Sequence, residues 1–384
     1  MPSSIIKIGN GKASMLDFTS ALYLGMQHAH HRLCPWPALT TGRPAVLETP
    51  PGAKAVARAL ARLIGCEHAT LGTSTLHIFF DLFQVLSSEG IAFFVDAGTY
   101  PIARLGAERM AAKGVPLVAF PTHDSVSLEL ALTRNRRLGL RPVVVTDGLS
   151  PAAGRPAPLD RYLRLARANY GWLVIDDTQA LGILGERPTH EVPYGYGGGG
   201  TAAWYGLRAP ELIVVASLAK GFGVPLAVLA GSRRLIEDFE TRSDCRVHCS
   251  APSAAHLAAA AHALIVNRDQ GALLRNRLLR GIQRFRCKLR QAGLFVHGGF
   301  SPVQTPSLGG KAAAVHTRLL AGGVQSVLHQ DRPGFPAQLS FLLSAAHPPW
   351  AIDYAAESLA RIVNTKQSRT ISARRKNHEQ AVEI

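Results

Sequence analysis

WLVIDDTQALGILGE, Trp172 to Glu186, runs from an apolar stretch into two adjacent carboxylates, Asp176 and Asp177, and then into small polar residues and glycines. A short run of Val, Ile and Leu closed by turn-forming residues, here WLVIDD (Trp172 to Asp177), is the pattern of a strand buried on both faces, as in a parallel sheet. The pattern recurs in IAFFVD (Ile91 to Asp96), PVVVTD (Pro142 to Asp147) and ELIVVAS (Glu211 to Ser217). Between these runs, RLGAERMAAKG and PLDRYLRLARANYG carry apolar residues at helical spacing, the second with Asp160 placed as a cap. Strand and helix alternate, which predicts an α/β fold of βαβ units around a mainly parallel sheet. The carboxyl ends of parallel strands lie on one side. Asp96, Asp147, Asp176 and Ser217 are therefore expected to line one crevice, where open α/β sheets bind ligands.

With 384 residues, 47% of them hydrophobic, the chain can bury a large core. After Gly231 the pattern turns helical and alanine-rich, and a short strand, QLSFLLSA, follows near Phe341. The expected division is an N-terminal arm (1–45), a large domain (46–250), a smaller α+β domain (251–364) and a polar, basic tail (365–384). GYGGGG, Gly195 to Gly200, reads as a flexible loop, because neither a Walker lysine nor a GxGxxG spacing follows it. Five scattered cysteines without a CxxC pair argue against a disulfide framework and a zinc ribbon. With no signal-peptide pattern and no bilayer-length apolar run, the expectation is a cytoplasmic protein with no membrane partner. Lys and Arg number 42 against 26 Asp and Glu, a net charge of +16 that favours acidic partners. No helix-turn-helix is appended, which argues against nucleic acid and against a DNA-binding sensor. His28-Ala29-His30-His31 with Cys34 lacks ligand spacing on a defined element, and no metal is expected.

Ser217-Leu-Ala-Lys220-Gly-Phe-Gly223 places a lysine just beyond a buried strand. A poorly solvated lysine has a lowered pKa and can form a Schiff base with an aldehyde cofactor. Alone, it reads more readily as a snorkelling surface lysine than as a functional one. Asp176 supplies what pyridoxal 5'-phosphate (PLP) needs from a protein, a carboxylate that keeps the pyridine nitrogen protonated. For the Asp176-Asp177 pair a magnesium site is the competing reading, but no nucleotide-phosphate loop accompanies it. Leu71-Gly-Thr-Ser74-Thr75-Leu-His77 sets hydroxyls before a helix-like run, at a terminus that offers backbone N–H groups to a phosphate. An ordinary N-cap would look the same. Lysine, carboxylate and phosphate cradle together point to PLP.

Phe18 to His28, Asp96 to Pro101, Thr146 to Leu159, Asp176 to Glu186, Ser217 to Ser232 and Leu342 to His347 resemble the α-oxoamine synthases, the relatives of 8-amino-7-oxononanoate synthase and serine palmitoyltransferase. The resemblance implies a fold-type I PLP-dependent transferase, with a mainly parallel seven-stranded sheet in the large domain and a smaller C-terminal domain. It implies Lys220 as the Schiff-base lysine, Asp176 as the partner of the pyridine nitrogen, and Ser217, Ser74 and Thr75 as phosphate ligands. Tyr100 takes the place of the residue that stacks on the ring, and Gln179 that of the group bonding the ring hydroxyl. Ser250 matches the hydroxyl that reaches the neighbouring subunit's phosphate, which implies a homodimer, and Arg332 matches the arginine that binds the substrate carboxylate. The family has histidine where this chain has Tyr100 and Gln179. The implied reaction is decarboxylating condensation of an amino acid with an acyl thioester of coenzyme A or an acyl carrier protein; an aminotransferase is the alternative.

Overall fold

Seven strands, nearly all buried on both faces, form one sheet in the computed structural model, which describes residues 5–6, 15–331 and 336–380. The order across the sheet is His68–Gly72, Ala227–Gly231, Leu212–Ser217, Trp172–Asp176, Arg141–Asp147, Ile91–Asp96, Leu117–Phe120. Only Ala227–Gly231 runs against its neighbours; the other six strands share one direction. One face of the sheet, carrying Phe93, Val95, Val143, Val145, Val174, Ile213 and Val215, packs against the helices Thr75–Ser87, Pro101–Ala111 and Arg233–Arg242 in a single apolar cluster. Side chains alternate along a strand, so Phe94, Val144, Leu173, Ile175 and Val214 bury the opposite face. This explains the unbroken apolar runs: each strand has to be apolar on both sides.

The chain forms two compact units, Leu24–Arg275 around this sheet, and Met1–Tyr23 with Asn276–Ile384. The second unit holds an antiparallel sheet of Val296–His297, Val303–Pro306, Gln338–Leu342 and Val327–His329. Phe18, Phe285 and Phe341 meet in its core, with ring centroids 5.8 Å and 5.0 Å apart. The helix that begins at Pro349 continues to Gln380.

Two local expectations are corrected. The glycine stretch from Gly195 to Gly200 is not a flexible loop. Its backbone is bonded to the segment after Asp177, with Gly182 N–H donating to the Gly198 carbonyl at 2.8 Å and Gly200 N–H to the Leu184 carbonyl at 2.7 Å. A Cβ on Gly200 would meet the Asp177 carboxylate at 1.9 Å, and one on Gly199 the Leu63 carbonyl at 2.1 Å. Gly199 and Gly200 are there for close approach. Asp160 is not a cap either: the helix Leu159–Arg167 starts after Pro158, and Asp160 sits in its first turn, 3.1 Å from Arg164.

Candidate active site

Sheet register assembles the site. Asp147 lies opposite Asp176 on adjacent parallel strands, and Val215, two residues before Ser217, is opposite Asp176 on the other side. Ser217 faces Ala227, which in turn faces Gly72, so the end of the strand leading to Ser74 and Thr75 aligns with the strand leading to Lys220. The strand ends thus stand in a row, as their common direction requires.

Lys220 follows the strand Leu212–Ser217 in a turn closed by Phe222 N–H and Val224 N–H, both donating to the Leu218 carbonyl. Its Nζ lies 5.6 Å from the centre of the Tyr100 ring, within cation–π range. Tyr100 in turn donates its backbone N–H to Asp147 Oδ1 at 3.0 Å. Lys220 is attracted by both Asp176 and Asp147, yet burial outweighs them and holds its amine below the ordinary lysine value. The two acids pay the same penalty with the opposite sign. Burial pushes both carboxyls up, and Asp147 is raised further by Asp176.

Asp176 accepts the Thr178 N–H at 3.1 Å, and Thr178 Oγ1 accepts the Ser217 N–H at 3.0 Å, tying the carboxylate strand to the lysine strand. Among the described residues no arginine or histidine pairs with Asp176. A protonated ring nitrogen set against this acid would restore its charge, so the residues present fit PLP. Asp177 points elsewhere. It accepts both the N–H and the hydroxyl of Thr201, and its carboxyl is pushed up to about 7 by burial.

Ser74 caps the helix Thr75–Ser87, its side chain accepting the Leu76 N–H at 3.1 Å, and Thr75 opens that helix. Gln179 is half-buried, three residues beyond Asp176. Ser250 has no hydrogen bond to this cluster; it is exposed and bridges to Pro44. Arg332 lies outside the described residues. Asp96, expected at the crevice, is buried and takes the N–H groups of Gly98 and His123 and the Tyr162 hydroxyl, which makes it a brace for the loop carrying Tyr100. The group that sequence reasoning left unassigned is Asp147. Its only signal was a strand end matching that of Asp176.

The aminotransferase class I and II family model matches residues 16–359. The chain is 30% identical to an 8-amino-7-oxononanoate synthase of Nitrosococcus oceani over 362 residues, covering 93% of this chain and 84% of that protein. It is 28% identical to the corresponding enzyme of Pseudomonas aeruginosa, over 88% of this chain and 76% of that one. Among solved structures it is similar to serine palmitoyltransferase of Sphingomonas wittichii, with a TM-score of 0.81 at 20% identity over 95% and 94% of the two chains. For 8-amino-7-oxononanoate synthase of Francisella tularensis the TM-score is 0.71 at 18% identity, over 92% and 99%. With the fold, the row of strand ends and the lysine beside two buried acids agreeing with a match of this extent, the chain belongs to the aminotransferase class I and II family.

Proposed function

We propose that this protein is a PLP-dependent acyltransferase of the α-oxoamine synthase type, which joins an amino acid to an acyl thioester with loss of carbon dioxide. The observation that carries the reading is Lys220, 5.6 Å from the centre of the Tyr100 ring and attracted by the buried acids Asp176 and Asp147, in a chain whose relatives are named 8-amino-7-oxononanoate synthase. When bound, PLP supplies an aldehyde that amines capture and a ring that draws electrons from the α-carbon of an amino acid.

The chain's own residues divide the remaining work. Asp176 holds the proton of the ring nitrogen, and its burial keeps that interaction strong by excluding water. Ser217, Ser74 and Thr75 bind the phosphate at a helix N-terminus, where unpaired N–H groups favour an anion. Tyr100 covers the ring, and Gln179 bonds the ring hydroxyl. Lys220, with a lowered pKa, carries the proton at the α-carbon. A carbon–carbon bond forms between the α-carbon and the thioester carbonyl, and the thiol and carbon dioxide leave.

A homodimer in which Ser250 reaches the phosphate of the neighbouring subunit, and binding of the substrate carboxylate by Arg332, belong to the same reading. The five cysteines are free, in keeping with a cytoplasmic protein. Among the described residues no helix is long and apolar enough to cross a membrane. The test is thiol release: purified protein with PLP should liberate coenzyme A or carrier thiol from an acyl thioester only when an amino acid is present. No thiol release with any amino acid, together with conversion of keto acids to amino acids, would replace this reading by an aminotransferase.

A further inference from the structure

The Phe222 carbonyl, two residues beyond Lys220, accepts no backbone N–H among the described residues. Its donor is His28 Nε2 at 2.7 Å, and the other nitrogen of that ring, Nδ1, lies 2.9 Å from His262 Nδ1. The two rings cross edge to face, 88° apart with centroids at 5.2 Å. The residues are 234 positions apart in sequence, His28 in a segment outside any helix or strand and His262 on the helix Ala254–Gln291.

The chemistry of these contacts dictates protonation. A carbonyl oxygen only accepts, so His28 must carry its proton on Nε2. Two facing nitrogens can share only one proton, so in the neutral pair His28 Nδ1 accepts and His262 donates from Nδ1. Burial keeps His28 below the ordinary imidazole value, in agreement with that neutral state. His262 thus selects the one tautomer of His28 that can hold the carbonyl. Among the described residues no backbone hydrogen bond holds the peptide between Phe222 and Gly223; the N–H groups of Phe222 and Val224, on the peptides either side, donate inward to Leu218.

We propose that His28 and His262 are positioning residues for Lys220, His28 clamping the Phe222 carbonyl and His262 locking His28 in the clamping tautomer. The proposal rests on Lys220 being the functional lysine, and its tests separate the two. Long-range proton–nitrogen spectra of histidine-labelled protein should show His28 as the Nε2–H form and His262 as the Nδ1–H form. A His28 protonated on Nδ1 overturns the proposal. In His28→Leu, hydrogen–deuterium exchange of the segment 218–224, read with and without PLP, should quicken about 5- to 100-fold, the cost of an orphaned buried carbonyl. His28→Gln places an amide donor near the lost Nε2–H and should restore protection to within about 3-fold. His262→Leu, which leaves His28 in place but unlocked, should fall between. The kcat values should follow the same order, with KM within about 2-fold of the unsubstituted protein.

Unchanged exchange in both His28→Leu and His262→Leu overturns the clamp, as does a His28→Gln protein that folds but is no better protected than His28→Leu. If His28→Leu does not fold, the Gln and His262 variants and the tautomer spectra still decide. Quickened exchange in a protein whose Lys220 is not captured by PLP and borohydride would sink the functional reading and leave the clamp standing.

Discussion

Asp176 and Asp177 are neighbours in sequence with opposite tasks, because successive side chains of an extended chain point to opposite faces. Asp176 feels the charge of Lys220, whereas Asp177 is consumed by Thr201. Asp176→Asn should keep bound cofactor but lose turnover by at least about 100-fold, since an amide cannot hold the ring nitrogen's proton; absorbance and kcat of one preparation check both. Lys220→Ala should abolish covalent capture by borohydride, and a variant still labelled at that position would exclude Lys220. Asp177→Ala should leave two buried donors without partners and cost about 2–6 kcal/mol, read as a lower urea midpoint. Tyr100→Phe keeps both the ring and the backbone N–H that Asp147 needs, so cofactor affinity should stay level; Tyr100→Ala should weaken it about 2- to 12-fold. A further prediction concerns pH. His347 donates from Nε2 to the Asp17 carbonyl and accepts the Ser344 N–H on Nδ1, and burial holds its pKa below the ordinary imidazole value of about 6.5. The unfolded chain therefore takes up protons first. Stability from this group is complete above about 6.5 and is lost as pH falls through the lowered folded value. His347→Gln should flatten part of that decline in a thermal melt series from neutral to acid pH.

At the scale of elements, the strands were legible because burial on both faces leaves a continuous apolar run: Ile91–Asp96 is observed as expected, and the strands ending at Asp147, Asp176 and Ser217 differ from the reading by one residue at an end. The glycine stretch was not legible. Composition alone cannot distinguish glycines that give freedom from glycines that admit a neighbouring backbone, and the neighbour here comes from Leu181 to Glu186. The difference is measurable. Gly200→Ala drives a Cβ onto the Asp177 carboxylate at a φ of +88°, and should prevent accumulation of folded protein. Gly197→Ala has a similar φ of +82° but open space around it, and should cost only about 1–2 kcal/mol. Comparable losses in soluble yield and melting temperature for both would contradict the packed loop.

For the whole molecule, the net charge of +16 is a statement about encounter rather than fold. Coenzyme A and acyl carrier proteins are both acidic, so kcat/KM for the thioester should fall about 10-fold or more between low and high salt, while kcat/KM for a zwitterionic amino acid, which carries no net charge, should be nearly indifferent. Sedimentation should give a homodimer, and Ser250→Ala should weaken cofactor binding without dissociating it. The alternation of buried strands and amphipathic helices was enough to predict the parallel sheet, and with it the edge on which Asp147, Asp176 and Ser217 stand, because one strand direction puts every carboxyl end on the same side. Lys220 was recognisable for the same reason: it follows such an end directly. The contact of Lys220 with the Tyr100 ring, the bond from Tyr100 to Asp147, and the clamp of His28 and His262 on the Phe222 carbonyl were beyond any local reading. Local periodicity records which face a residue buries, not which distant side chain it meets there; those partners exist only once the strands are in register and the polar groups they bury have been paired.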